Sequence, residues 1–172
     1  MSIDWKIDQL ADCCDLRFHT DEDKADLLSH YYFRANGCEF RVSTDLDTDG
    51  ATIPRSLLGV IGYRYDRLNV FPAIIHDGAY THNLWVISVP AKWSALHPDF
   101  WDWTPVYLEA ADADGLFKSV RAHLGGAAAK NWFMWLGIRY NSGIAKKYPT
   151  FADFLKKHPD GRKFTDCGVV QA

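Results

Sequence analysis

Residues 31–42 constrain the fold most tightly. Tyr31, Tyr32 and Phe33 run into Ala35-Asn36-Gly37, after which Cys38, Phe40 and Val42 alternate with Glu39 and Arg41. Asn-Gly accepts the positive φ angles that a two-residue hairpin turn demands, and apolar residues at every second position mark a half-buried strand. The pattern predicts an antiparallel β-hairpin turning at Asn36-Gly37.

Helical signals dominate the rest. Thr20 opens T-D-E-D-K-A-D-L-L, whose acidic first turn suits the positive end of a helix dipole and predicts a short helix there. Pro72 fits the first position of a helix running to about Leu84, since its missing N–H has no partner to lose at that place. Residues 85–106 hold three prolines and four tryptophans without a helical period, which predicts a long excursion with one strand over residues 85–89. A helix is predicted over 105–124, with Ala113, Leu116, Phe117, Val120 and Leu124 on one stripe and Gly125-Gly126 as its stop. Another is predicted over 127–140, ending at Asn141-Ser142-Gly143, whose Trp132, Phe133, Trp135 and Leu136 assign it to the core. A helix over 150–158 is capped by Thr150 with Asp153 three residues on, and a Pro159-Asp160-Gly161 turn leads to a terminal strand. These elements define an α+β class: a mainly helical single domain over 1–172, with a small antiparallel hairpin or sheet on its N-terminal side.

Composition narrows the function classes. At 172 residues, 48% of them apolar and seven of them Trp, the chain supplies one well-filled core. The formal net charge is −3 and the basic residues read as scattered, so nucleic acid is not expected as a partner. Cys13, Cys14, Cys38 and Cys167 form no C-x-x-C pair, and reduced thiols are the simple reading. The first residues, M-S-I-D-W-K-I-D, lack the features of a signal peptide, and no run reaches the ~18 apolar residues of a transmembrane helix. A soluble protein, not secreted by a signal peptide, is expected.

Chemistry concentrates in residues 45–80. Asp45, Asp47 and Asp49 alternate up to Gly50, an arrangement by which a loop can wrap oxygen ligands around Ca²⁺, with Asp77 as a further candidate ligand. The other reading is a solvated acidic turn, since Ser56 stands where an EF-hand places its bidentate Glu. Ile53-Pro54 predicts an extended exit from that loop. His76 and Tyr80 stand four apart on one helix face, with Asp77 a hundred degrees round. They suit a general base with its carboxylate, or equally a buried histidine satisfied by a neighbouring acid. Asp112 and Asp114 flank the 113–124 stripe on opposite edges, and periodicity does not choose between them. Trp93, Trp101 and Trp103 are candidates for a contact surface or for packing back on the domain.

Three blocks, D-G-A-T-I-P-R at 49–55, H-D-G-A-Y at 76–80 and A-D-G-L-F at 113–117, resemble in residue content and order a phage and prophage family catalogued as domain of unknown function 1353. The resemblance spans about residues 38–143, leaving 144–172 as a C-terminal extension. It implies a small α+β domain of phage origin and points to Asp114 over Asp112, but it carries no established activity. The gap between Tyr80 and Asp114 is longer than in the family's pattern, and no Arg stands just before Asp114. H-D-x-x-Y also resembles the active-site helix of secreted phospholipase A2, with Ala79 where that family has cysteine. That likeness implies His76 as the base that activates water, Asp77 and a glycine-containing loop as calcium ligands, and Asp114 as the carboxylate orienting the histidine.

Two functions are therefore expected. One is a calcium-assisted hydrolase of an envelope ester or amide, with His76, Asp77, Tyr80 and Asp114 in the catalytic cluster and Asp45, Asp47, Asp49 and Asp77 on the metal. The other is a non-catalytic phage accessory or virion protein that binds a phage or host protein, with a buried His-Asp-Tyr clasp between two helices. Either would work in the host cytoplasm during infection or in the virion. Both place His76 against Asp114 on antiparallel helices.

Overall fold

The computed structural model describes residues 3–19, 24–44, 46–48, 66–87, 103–145 and 150–166, with the backbone alone over 137–145. Its framework is a six-stranded sheet in the order β1 (Ile7–Leu10), β4 (Tyr31–Ala35), β5 (Cys38–Val42), β7 (Leu84–Ile87), β8 (Thr104–Tyr107) and β9 (Arg162–Lys163). All neighbours are antiparallel except β8 and β9. A second antiparallel sheet joins β2 (Leu16–Phe18), β3 (Ala25–Leu27) and β6 (Asp47–Thr48). The α+β class is as expected, but the sheet is far larger than a hairpin.

The hairpin of β4 and β5 sits at the heart of the large sheet with the expected register, Phe33 opposite Phe40 and Ala35 opposite Cys38. Asn36 at φ 51° and Gly37 at φ 72° make the left-handed turn that Asn-Gly favours. The turn is also gripped from outside: Asn36 Oδ1 accepts from Lys6 N at 2.7 Å, and Gly37 N donates to Asp8 Oδ2 at 3.0 Å. One face of the hairpin, Tyr31, Phe33, Ala35, Cys38, Phe40 and Val42, is fully buried, while Tyr32, Arg34, Glu39 and Arg41 on the other are half-buried. β1 meets β4 through a bulge between Ile7 and Gln9.

The helices are α1 (Arg67–Tyr80), α2 (Ala110–His123), α3 (Ala128–Ala145) and α4 (Phe151–Lys157). α1 starts earlier than predicted, so that Pro72 lies inside it rather than at its first position. An interior proline costs about 3 kcal/mol. The burial of Val70, Phe71, Ile74 and Ile75 offsets this, at about 1.5–3 kcal/mol for each large apolar side chain taken from water. α1 packs so closely on the hairpin that a Cβ on Gly78 would lie 2.8 Å from Val42 Cγ1.

α1 also stops earlier than predicted, and Leu84 opens β7. The stop is His82, in the left-handed region at φ 62°, while Asn83 N donates to Gly78 O at 2.8 Å to close the helix end. Glycine usually fills that position, so the sequence gives little warning. The predicted helix over 105–124 begins only at Ala110, because Pro105, Val106 and Tyr107 belong to β8, where Pro105 faces Trp85. Its end is as predicted, with Gly125 at φ 85° just beyond.

Residues 25–27 of the predicted helix from Thr20 form β3, where Ala25 and Leu27 are buried and Asp26 is not, a period of two rather than 3.6. Residues 20–23 lie outside the described set, as do most of the 85–106 excursion and the Ile53-Pro54 exit. α4 carries the predicted capping box, Thr150 Oγ1 accepting from Asp153 N at 3.2 Å. α3 departs furthest from expectation. Its helix runs through Asn141-Ser142-Gly143, and Trp132 and Phe133 are not in the core but 48% and 54% exposed. Among its described side chains, Met134 and Asn131 are the buried ones.

Candidate functional site

The site lies where α1 and α2 pack face to face. Asn69, His76 and Tyr80 fall on one face of α1, and Asp114, Phe117 and Arg121 fall at helical spacing on the facing side of α2. His76 Nε2 lies 3.1 Å from Asp114 Oδ1, and the Tyr80 hydroxyl donates to the same oxygen at 3.2 Å. The His76 and Tyr80 rings are 4.2 Å apart and tilted by 32°, with Phe117 edge-on to the imidazole at 5.8 Å. At the other end of the pair, Arg121 bonds Asn69. The C-terminal half of one helix thus meets the N-terminal half of the other, and they run antiparallel.

The other imidazole nitrogen, Nδ1, faces Asp77 Oδ1 at 3.7 Å. That is too long for a hydrogen bond, so Asp77 acts on the ring through its charge. Asp77 Oδ2 accepts from Thr48 Oγ1 at 2.5 Å, which ties α1 to β6. His76 is 8% exposed and Asp114 3%, whereas the Asp77 side chain keeps 24% of its exposure. Burial pulls the His76 pKa down. The hydrogen bond to Asp114 and the charges of Asp77 and Asp114 outweigh that pull, and the imidazole is held above its ordinary value.

A second polar group closes the Asn69 end. Arg121 is 1% exposed, with Nε donating to Asn131 Oδ1 at 3.0 Å and Nη1 donating to Asn69 Oδ1. Asn131 Nδ2 in turn donates to Gly126 O at 2.8 Å, which fastens α3 to the end of α2. Burial lowers the Arg121 pKa and the charge of Asp66, the residue before α1, opposes the shift. The sequence reading missed Arg121, Asn69, Asn131 and Thr48. A signal was present for two: Arg121 stands seven residues after Asp114 and Asn69 seven before His76, on the same two helix faces.

Of the predicted site residues, His76, Asp77, Tyr80 and Asp114 come together. Asp112 faces elsewhere: its Oδ1 accepts from Ile3 N at 2.8 Å and its carbonyl accepts from the Trp5 indole at 2.9 Å. Asp47 does not join the His76 cluster. It precedes Thr48 on β6, so its side chain takes the opposite side of the strand, where it pairs with Lys24 at 3.1 Å. Asp45 and Asp49 lie outside the described residues, as do the D-G-A-T-I-P-R block, Trp93, Trp101 and Cys167. Among the described residues, no three His, Cys, Asp or Glu side chains gather as a metal-binding group. Trp103 packs beneath the Arg41 guanidinium at 4.8 Å. Burial, with Cys13 and Asp15 beside it, pushes the Cys14 thiol up to about 11, which makes it a poor nucleophile.

Fold and site together define an α+β protein whose two central helices are joined by buried polar groups. The chain belongs to the family described as protein of unknown function (DUF1353), whose model matches residues 25–138, more than half of the sequence. The match reaches further back than the expected 38–143, taking in β3 and β4. No curated protein and no solved structure matches the chain. No helix among the described residues is long and apolar enough to cross a membrane.

Proposed function

We propose that this chain is a non-catalytic phage accessory or virion protein in which His76, Asp114 and Tyr80 form a clasp holding α1 and α2 in one register. The observation that carries this reading is that both nitrogens of a buried imidazole face carboxylates, Asp114 at 3.1 Å and Asp77 at 3.7 Å. A general base needs a free nitrogen lone pair and access to water. Here Nε2 is taken up by Asp114, the ring is buried, and the carboxylates favour its protonated form, so it serves well as a polar lock between helices. A phage or host protein is the partner such an accessory protein would bind.

One observation favours the other reading, a calcium-assisted hydrolase of an envelope ester or amide. Asp77 is partly open to solvent 3.7 Å from His76 Nδ1, so a substrate or a cation held by Asp77 would stand next to the ring. Calcium titration with thermal melting separates the two. The clasp predicts no shift on adding Ca²⁺, whereas a bound ion at a hundredfold excess over its Kd would stabilise the protein by about 2.7 kcal/mol. A calcium shift abolished by Asp77→Asn, or an ester or amide product lost in His76→Gln, would replace the clasp with the enzyme.

A further inference from the structure

We infer that the outer face of α3 is a docking surface for an anionic lipid leaflet. The surface is separate from the His76 clasp and rests on two independent observations. The first is exposure: Trp132 and Phe133, consecutive on the helix and 5.2 Å apart ring to ring, are 48% and 54% exposed. Two large aromatic side chains side by side in water on a helix ridge are not ordinary surface, since scattered single apolar residues are the norm.

The second is charge. The chain carries a formal net charge of −3, yet residues 115–152 contain no Asp or Glu and, besides the buried Arg121, hold Lys118, Lys130, Arg139, Lys146 and Lys147. Lys130, two residues before the aromatic pair on α3, and Lys118 on α2 are both exposed, and the Lys118 ammonium lies 5.9 Å from the Trp135 ring, three residues beyond Trp132. A helix that presents Trp and Phe beside its own Lys130 and near Lys118 of α2, in a stretch free of acidic residues, has the chemistry of an interfacial helix that lies in the headgroup layer. The aromatic rings enter the acyl boundary and the lysines meet lipid phosphates.

The same features argue against a second copy as the cover. A two-fold interface would bring this basic stretch against its own copy, and residues 115–152 supply no carboxylate to neutralise it. An anionic leaflet removes that repulsion. It also needs no groove on its side, which suits two rings projecting from a ridge better than an anchor-and-pocket contact does.

Co-sedimentation of the full chain with phosphatidylcholine vesicles, with and without phosphatidylglycerol, tests this. The wild type is expected to bind the phosphatidylglycerol vesicles, to bind pure phosphatidylcholine at least about tenfold more weakly, and to be released by added salt. Trp132→Ser with Phe133→Ser should abolish binding while lowering the melting temperature only slightly, because about half of each side chain already stands in water. Lys118→Gln with Lys130→Gln should weaken binding about thirtyfold, each lysine near a charged leaflet contributing about a factor of five. The proposal is overturned if the wild type ignores anionic vesicles or if the aromatic variant binds them equally well. It is also overturned if the chain elutes as a dimer that the aromatic variant converts to a monomer, since a second copy would then cover the face.

Discussion

At the Tyr80 end of α1 a buried imidazole meets a carboxylate from α2, while at the Asn69 end a buried guanidinium from the same face of α2 is held by two side-chain amides. The two ends hold the same helices together by different physics. In the first, a proton decides whether the pair is ionic, so the bond depends on pH. In the second the charge persists at every accessible pH, because a guanidinium does not deprotonate in proteins, and neutral dipoles take the place of water. One end can therefore be loosened by titration and the other only by mutation.

The largest effect should come from the end that does not titrate. Arg121→Ala removes a fully buried side chain that links Asn69 to Asn131 and leaves a cavity among three helices, with an expected loss of about 4 kcal/mol in denaturant unfolding. The loss should be the same at about pH 6 and about pH 9, where the charge state of Arg does not change. Asp114→Ala comes next, at about 3 kcal/mol near pH 6, because it strands a charged imidazole in the core. If Asp114→Ala proves the costlier of the two under all conditions, the ranking of the two ends is wrong.

The sharpest contrast is in pH. The folded His76 pKa lies above its unfolded value of about 6.5, so its stabilisation is fully present below that value and fades as pH rises through the folded pKa. The stability difference between wild type and His76→Gln should shrink along that rise, while the difference between wild type and Arg121→Met stays flat. A flat profile for both would mean that His76 is neutral in the fold. Smaller still is Thr48→Val, which removes the hydroxyl bound to Asp77 and should cost about 1–2 kcal/mol. Asp47→Asn, one residue away on the far side of β6, should change stability by less than about 0.5 kcal/mol, since an exposed pair with Lys24 is worth little.

The parts of this molecule that were legible in the sequence are those where local chemistry and tertiary packing agree. Asn36-Gly37 dictated a turn that the sheet uses, Thr150 and Asp153 dictated a cap, and Gly125 a stop. His76, Tyr80 and Asp114 could be aligned because helix faces repeat with a known period. The misreadings fall where packing overrides a local signal. Pro72 looks like a helix start but is buried mid-helix, His82 does the work of a glycine, and Pro105 lies on a strand that its neighbours complete. α3 failed for another reason. Apolar content does not tell which side of a helix has a protein neighbour, and Trp132 and Phe133 keep about half of their surface in water.

The bulge between Ile7 and Gln9 bears on how the protein behaves in a crowd. A regular outer strand offers a row of free amide and carbonyl groups on which another chain can polymerise. Here one border of the large sheet is the four-residue β1, twisted by its bulge and fastened at Asp8 to the turn, and the opposite border is the two-residue β9. Neither offers a long straight template, and at both borders further growth of the sheet is disfavoured. Among the described strands, the large sheet thus ends on both sides in margins that are poor seeds for fibrils.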